Sequence, residues 1–200
     1  MSISISAPKL KTINTTIQNK IETVLHQSLK KHTRLFILRL DYHFPVDTDC
    51  KTDSKVITRH FDSLKAKLNA HEKRKITKGK RVHPNGLEYF WVREVGPKSG
   101  KVHYHVMLVF NKDAFFTLGR FDSNEHNLFS MIKTAWQSAL GLKENIEGLV
   151  HSCDFDISYL DKNRADFNEK YDAWVSHLSY LAKDFSKPYG DGNRVFGYSR

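Results

Sequence analysis

Cysteine is almost absent. Cys50 and Cys153 stand alone among 200 residues, with no CxxC pair and too few thiols for a disulfide framework. Long apolar runs are missing too: stretches such as Val106 to Phe110 fall far short of the ~20 residues a helix needs to cross a bilayer, so no membrane span is expected. The opening Met1-Ser2-Ile3-Ser4 has no charged stretch leading into an apolar one, so no secretory signal is expected, and a reducing cytoplasm is the compartment that fits. Repeats, low-complexity tracts and an internal linker are also lacking. What remains is enough chain for one domain with a full core, and too little for two large ones.

Charge of one sign is abundant. Thirty-two Lys and Arg against 22 Asp and Glu give a formal charge of +10. A basic surface attracts polyanions, which makes nucleic acid the default partner. The densest cluster runs from Lys73 to His83 and reads as a basic loop.

Hydrophobic spacing divides the chain into elements. Ile13, Ile17, Ile21, Val24 and Leu29 recur near helical spacing. Arg34 to Phe44 is apolar and aromatic, stops at Pro45 and reads as a strand; a polar turn follows around Asp47 to Asp53. Ile57, Phe61, Leu64 and Leu68 mark a second helix. Leu87 to Val95 and Lys101 to Phe110 read as strands joined by the turn Gly96-Pro97-Lys98-Ser99-Gly100, hence an antiparallel hairpin. A helix over Ser123 to Leu140, N-capped by Ser123, a strand over Leu149 to Leu160 and a long helix over Asp166 to Phe185 complete the order. The simplest architecture for that order is α+β, an antiparallel sheet covered by helices on one side.

The chemistry-bearing residues lie on two of these elements. In a strand, residues i and i+2 face the same way, so His103 and His105 project together while Tyr104 faces away; two imidazoles so arranged can chelate one divalent metal. The preceding strand of the hairpin carries Glu94, which can complete a His/His/Glu set, and His43 at the end of the first strand competes as third ligand. Such a mixed site suits Mn²⁺ or Mg²⁺ with positions open for a phosphate oxygen. On the last helix, Trp174, Leu178, Leu181 and Phe185 form the apolar stripe, while Tyr180 and Lys183 lie off it and share one side at i and i+3. A phenol is a poor nucleophile at neutral pH unless a cation stabilises the phenolate, a role Lys183 and a metal-bound phosphate can fill.

HYH at 103–105 followed by YLAK at 180–183 resembles the HUH nickases: rolling-circle replication initiators, relaxases and related transposases. RLDYHFP at 39–45, YFWVRE at 89–94, HYHVMLVFN at 103–111, SYLAK at 179–183 and FGYSR at 196–200 are similar more specifically to the inovirus Gp2-like proteins of phages and prophages. The resemblance covers roughly Arg34 to Arg200. It divides the chain into an N-terminal helical extension, residues 1–33, and a nickase domain, residues 34–200, with a ferredoxin- or RRM-like HUH fold. It implies a metal held by His103, His105 and, with less direct correspondence, Glu94; a nucleophilic Tyr180 assisted by Lys183; and cleavage of single-stranded or supercoiled DNA at an origin or hairpin through a 5′-phosphotyrosyl intermediate. Ser176 and Asp184 stand one turn either side of Tyr180, so a single-tyrosine enzyme is expected. It is expected to act as a monomer and to rely on a separate helicase.

Two other readings fit parts of the sequence. A DNA-binding regulator on the same scaffold needs the basic surface but no metal. His26-Gln27-Ser28 and His177-Leu178-Ser179 mimic the paired motifs of two-histidine phosphoesterases, but both fall in predicted helices rather than on the strands that chemistry requires.

Overall fold

The computed structural model describes residues 12–46, 48–96, 100–119, 127–153 and 159–199. The chain alternates α1 (Thr15–Lys31), β1 (Arg34–His43), α2 (Val56–Thr77), β2 (Glu88–Val95), β3 (Val102–Asn111), α3 (Leu128–Leu140), β4 (Val150–Ser152), β5 (Tyr159–Asp161), α4 (Phe167–Leu178), a 3-10 turn (Ser179–Ala182) and β6 (Phe196–Tyr198). Among the described residues the six strands form one sheet in the order β4-β1-β3-β2-β6, with β5 also on β1 and every pairing antiparallel. The fold class is α+β, as the element order implied. No helix among the described residues is long and apolar enough to cross a membrane.

Helices cover both faces of the sheet, not one. The run Val106 to Phe110 is apolar at every position, so both parities of β3 need burial. Val106, Leu108 and Phe110 share a core with Phe61 and Leu64 of α2 and Ile132 and Trp136 of α3. Met107 and Val109 point the other way, into a core with Ile17, Ile21 and Leu25 of α1 and Trp174 and Leu178 of α4. Residues 1–33 therefore contribute α1, a packed helix of that second layer. Asn14 caps it by accepting a hydrogen bond from the Ile17 N–H at 3.1 Å.

Four element boundaries differ from the spacing-based expectation. The basic segment from Lys73 is helical as far as Thr77, where Arg74 and Lys75 occupy the last turn of α2 and complement its dipole. Ser123 lies outside the described residues; α3 is capped by Asn127, whose side chain accepts from the Ser130 N–H at 2.8 Å. The strand expected over Leu149 to Leu160 supplies two short pieces at opposite ends of β1, β4 on Leu40–Tyr42 and β5 on Arg34–Phe36; Phe155 and Ile157 lie outside the described residues. The last helix stops at Leu178 and tightens into the 3-10 turn, which leaves Phe185 56% exposed and off the apolar stripe.

His60 of α2 is fully buried, edge-on to Tyr42 and Trp136. Burial, only partly offset by the Ala135 backbone, pushes its pKa down from 6.5 to about 3. The unfolded chain then binds a proton below pH about 6.5 that the native state refuses until about pH 3, so stability falls across that window by about 1.4 kcal/mol per pH unit. A His60→Phe variant, followed by denaturant unfolding at pH 6.5 and 5, is expected to show a stability slope shallower by about that amount. An unchanged slope would mean that His60 is protonated in the native state.

Candidate metal centre

The middle strands bring the candidate ligands into two rows. Glu94 of β2, His103 of β3 and His43 of β1 are cross-strand partners, and Val92, His105 and Asp41 form the next row down. Alternation puts all of these on the face that also carries Met107 and Val109. That face is apolar where α1 and α4 cover it and turns polar beyond them, at the end where the 3-10 turn lies.

Donor atoms converge there. His103 Nε2 and His105 Nε2 are 3.2 Å apart, and Glu94 Oε2 is 3.4 Å from His105 Nε2. The ligand atoms of Glu94, His103 and His105 all lie within 4.8 Å of one another. His105 Nδ1 donates to Asp41 Oδ1 at 2.5 Å, and His103 Nδ1 leans toward the Lys101 carbonyl at 3.5 Å. Both rings thus turn Nδ1 toward an oxygen acceptor and aim Nε2 at a common point. Two facing lone pairs repel unless a proton or a cation lies between them, and a ligating histidine whose other nitrogen is held by a carboxylate is the usual arrangement at metal sites. The donor set, two imidazoles and one carboxylate, fits a divalent cation. Its positions fit Glu94 as the third ligand; His43 instead stacks its ring on that of His103, centroids 5.8 Å apart, and meets His151 edge-on at 5.3 Å.

The charges are coupled. Burial alone would raise the Glu94 carboxyl, but hydrogen bonds to His105 and Ser186 and the charges of His105 and Lys187 hold it down at about 2. Ser186 Oγ donates to Glu94 Oε2 at 2.6 Å and Lys187 Nζ donates to Oε1 at 3.0 Å, with the Lys187 side chain wholly buried. Burial likewise opposes ionisation of Asp41, and the His105 hydrogen bond and charge prevail and lower its pKa. His105 is pulled down by burial and raised on balance by Asp41 and Glu94, whereas burial and the neighbouring His105 lower His103.

Tyr180 lies against this cluster. Its ring meets His105 edge-on with centroids 5.5 Å apart, Arg39 Cζ lies 4.3 Å from its centre, and Lys183 Nζ lies 3.2 Å from it. A 3-10 turn has three residues per turn, so positions i and i+3 eclipse, which is how Lys183 comes to lie over the ring. The turn is gripped by the chain ahead of α1: the Asn14 N–H donates to the Ala182 carbonyl at 2.7 Å, the Asp184 N–H donates to the Thr12 carbonyl at 3.1 Å, and Ile13 bridges to Lys183. Burial and the Glu94 charge raise the Tyr180 pKa, with Arg39 opposing, so the phenol is protonated at neutral pH.

The structure therefore gathers Glu94, His103, His105, Tyr180 and Lys183 at one end of one sheet face. Spacing missed Asp41, Arg39, Ser186 and Lys187. Asp41 has the same strand parity as His43 and was detectable only as a carboxylate in RLDYHFP whose partner was unknown. The two phosphoesterase-like triplets sit on helical segments, not on strands: His26 is in α1, stacked on Tyr171, and His177 is in α4 beside Trp174, with Ser179 opening the 3-10 turn that carries Tyr180.

Comparison with known proteins adds kinship. The YagK/YfjJ C-terminal domain matches residues 7–199. The chain belongs to that family. The uncharacterized protein YagK of Escherichia coli strain K12 is 40% identical over 192 residues, covering 92% of this chain and 91% of that protein. The uncharacterized protein YfjJ of the same strain is 37% identical over 195 residues, covering 92% and 93%. No solved structure matches the chain. The family match begins within the segment that precedes α1, so it spans both the Thr12–Asn14 grip on the Tyr180 turn and the triad's strands.

Proposed function

We propose that the chain is a metal-dependent, single-tyrosine nicking and rejoining enzyme of the HUH type, acting on single-stranded or locally melted DNA of a phage or mobile element. The observation that carries this reading is the convergence of Glu94, His103 and His105 donor atoms beside a half-exposed tyrosine flanked by Arg39 and Lys183. A structural metal site has no use for a tyrosine held at its open side between two cations, whereas phosphodiester transfer needs each of these parts.

A divalent cation bound by the three donors would polarise the scissile phosphate. Asp41 keeps His105 in the tautomer that presents Nε2, and Lys187 balances the Glu94 charge so that both can stay buried. Tyr180 Oη attacks phosphorus in line: the Oη–P bond forms, the P–O3′ bond breaks, the phenol gives up its proton and the leaving 3′ oxygen gains one. Arg39 and Lys183 stabilise phenolate character and the negative phosphate. The phosphotyrosyl bond keeps the energy of the broken diester, so attack by a 3′-hydroxyl reverses the step and rejoins the strand.

The test is incubation of purified protein with supercoiled plasmids carrying candidate origin DNA, with Mn²⁺ or Mg²⁺, followed by mass spectrometry. A nicked product and a nucleotide adduct on Tyr180 are expected. Tight DNA binding with no cleavage under any metal would replace this reading with a regulator. For the site itself, Asp41→Asn is expected to weaken Mn²⁺ binding by about 10- to 100-fold in a calorimetric titration. Unchanged affinity would show that His105 needs no carboxylate behind it.

A further inference from the structure

At the β6 edge of the sheet lies an open groove of about 1010 Å³. Its walls combine rings and cations: Tyr89, Phe196 and Tyr198 with Lys20, Lys65 and Arg194. Lys20 Nζ lies 5.4 Å from the centre of the Tyr198 ring, and Lys65 Nζ lies 5.5 Å from that of Tyr89. Glu88 is the acidic residue among the described lining, and its carboxylate is already paired with Lys31. Residue 197 in its lining is glycine: a Cβ there would lie 2.6 Å from the Trp91 ring, so only glycine lets β6 lie this close.

The Phe196–Tyr198 side of the groove adjoins the candidate metal centre, and Tyr89 lies round the β6 edge on the opposite sheet face, packed toward α2. Phe196 and Tyr198 pair with Val92 and Phe90, and Val92 stands two residues before Glu94 on the same face of β2. The chain that leads from the Tyr180 turn to β6 supplies Ser186 and Lys187 to Glu94 on the way, and Val195 to the Arg93 N–H. From Glu94 to the Phe90–Tyr198 pair is four residues of strand, about 13 Å, a span that a short run of nucleotides covers.

We infer that this groove is the track for the single strand flanking the cleaved phosphodiester, with bases stacked on its rings and phosphates on Lys20, Lys65 and Arg194. The inference rests on the nicking reading for the identity of that strand. Aromatic faces flanked by lysines suit unstacked bases, whereas a duplex offers no free base face to them. A peptide adding a strand would depend on the backbone of β6, and three residues give it little to pair with.

The test measures binding of a fluorescein-labelled, mixed-sequence single-stranded oligodeoxynucleotide by anisotropy, in EDTA so that no chemistry occurs, over a salt series. Lys20→Glu/Lys65→Glu/Arg194→Glu is expected to lower affinity about tenfold or more and to reduce the log–log salt slope by about two. Tyr198→Leu leaves the charge intact and retains apolar packing, and it is expected to lower affinity about tenfold with the slope unchanged. Unfolding midpoints near wild type establish that each variant is folded. The control reverses charge in the other basic groove, between α2 and α3, with Lys67→Glu/Lys143→Glu. Wild-type affinity in the triple variant, or loss only in the control, overturns the inference. So does stronger competition by duplex DNA or by an acidic peptide than by unlabelled single strand. The two readings fail separately: loss of affinity without a Tyr180 adduct in the plasmid assay keeps the groove and removes the nickase, and an adduct with unaltered affinity does the reverse.

Discussion

Tyr180→Phe is expected to abolish the covalent adduct and to cut nicking by about a thousand-fold or more, while leaving the fold unchanged. The size follows from the chemistry: a phenylalanine ring has no oxygen with which to form the protein–phosphorus bond, and removal of a nucleophile is among the costliest single changes an enzyme suffers. The specificity follows from the contacts. Phenylalanine keeps the ring, and with it the edge contact to His105 and the flanking Arg39 and Lys183. Since the residue is 37% exposed and only an oxygen is removed, stability is expected to stay within about 0.5 kcal/mol. Metal and oligonucleotide binding should persist as well. Lys183→Met offers a graded companion: it removes one of two cations at the ring and is expected to cost about tenfold, the scale of one cation–ring interaction. Quantitative gel analysis of nicked plasmid, read beside mass spectrometry of the protein, measures both variants. Nicking by Tyr180→Phe at the wild-type rate would remove the tyrosine from the mechanism.

How much of this was legible depended on whether the determining contacts were local. The hairpin of β2 and β3 is a local object: a glycine-bounded turn between two strand-like runs sets the pairing, and Glu94 opposite His103 follows from it. The pairing of β1 with β3 is not local, so Asp41 and its hold on His105 stayed hidden even though both strands were visible. The unbroken apolar run in β3 already held the information that both faces are buried, and reading the sheet as covered on one side ignored it. The end of α4 had a different cause. Nothing in the residues before Pro188 forbids helix, and the stripe through Phe185 invites it. What ends it is the segment Thr12 to Asn14, which takes the Ala182 carbonyl and the Asp184 N–H for its own pairing. That contact spans most of the chain, and it converts a helical i, i+3 neighbour into a lysine stacked on the tyrosine.

Removing Glu94 is expected to damage both the metal site and the fold, and the two losses can be separated. The Lys187 side chain is wholly buried, and its ammonium is held by Glu94 and by the Lys183 carbonyl. Glu94→Gln takes away the neutralising charge and leaves a buried cation, a change that typically costs about 3–5 kcal/mol. Mn²⁺ affinity should fall by about 100-fold or more, since a direct ligand exceeds the 10- to 100-fold carried by outer partners. Pairing the change with Lys187→Met removes both charges at once, and replacement of a whole buried pair by apolar volume is often close to neutral. Glu94→Gln/Lys187→Met is therefore expected to recover most of the stability and none of the metal affinity. His103→Ala, at a half-buried position with no ion pair behind it among the described residues, is expected to lose metal affinity with little change in stability. Urea unfolding combined with Mn²⁺ titration distinguishes these cases. If the double variant binds Mn²⁺ as wild type does, Glu94 serves only to neutralise Lys187, and the third ligand must come from elsewhere, with His43 stacked on His103 the nearest alternative.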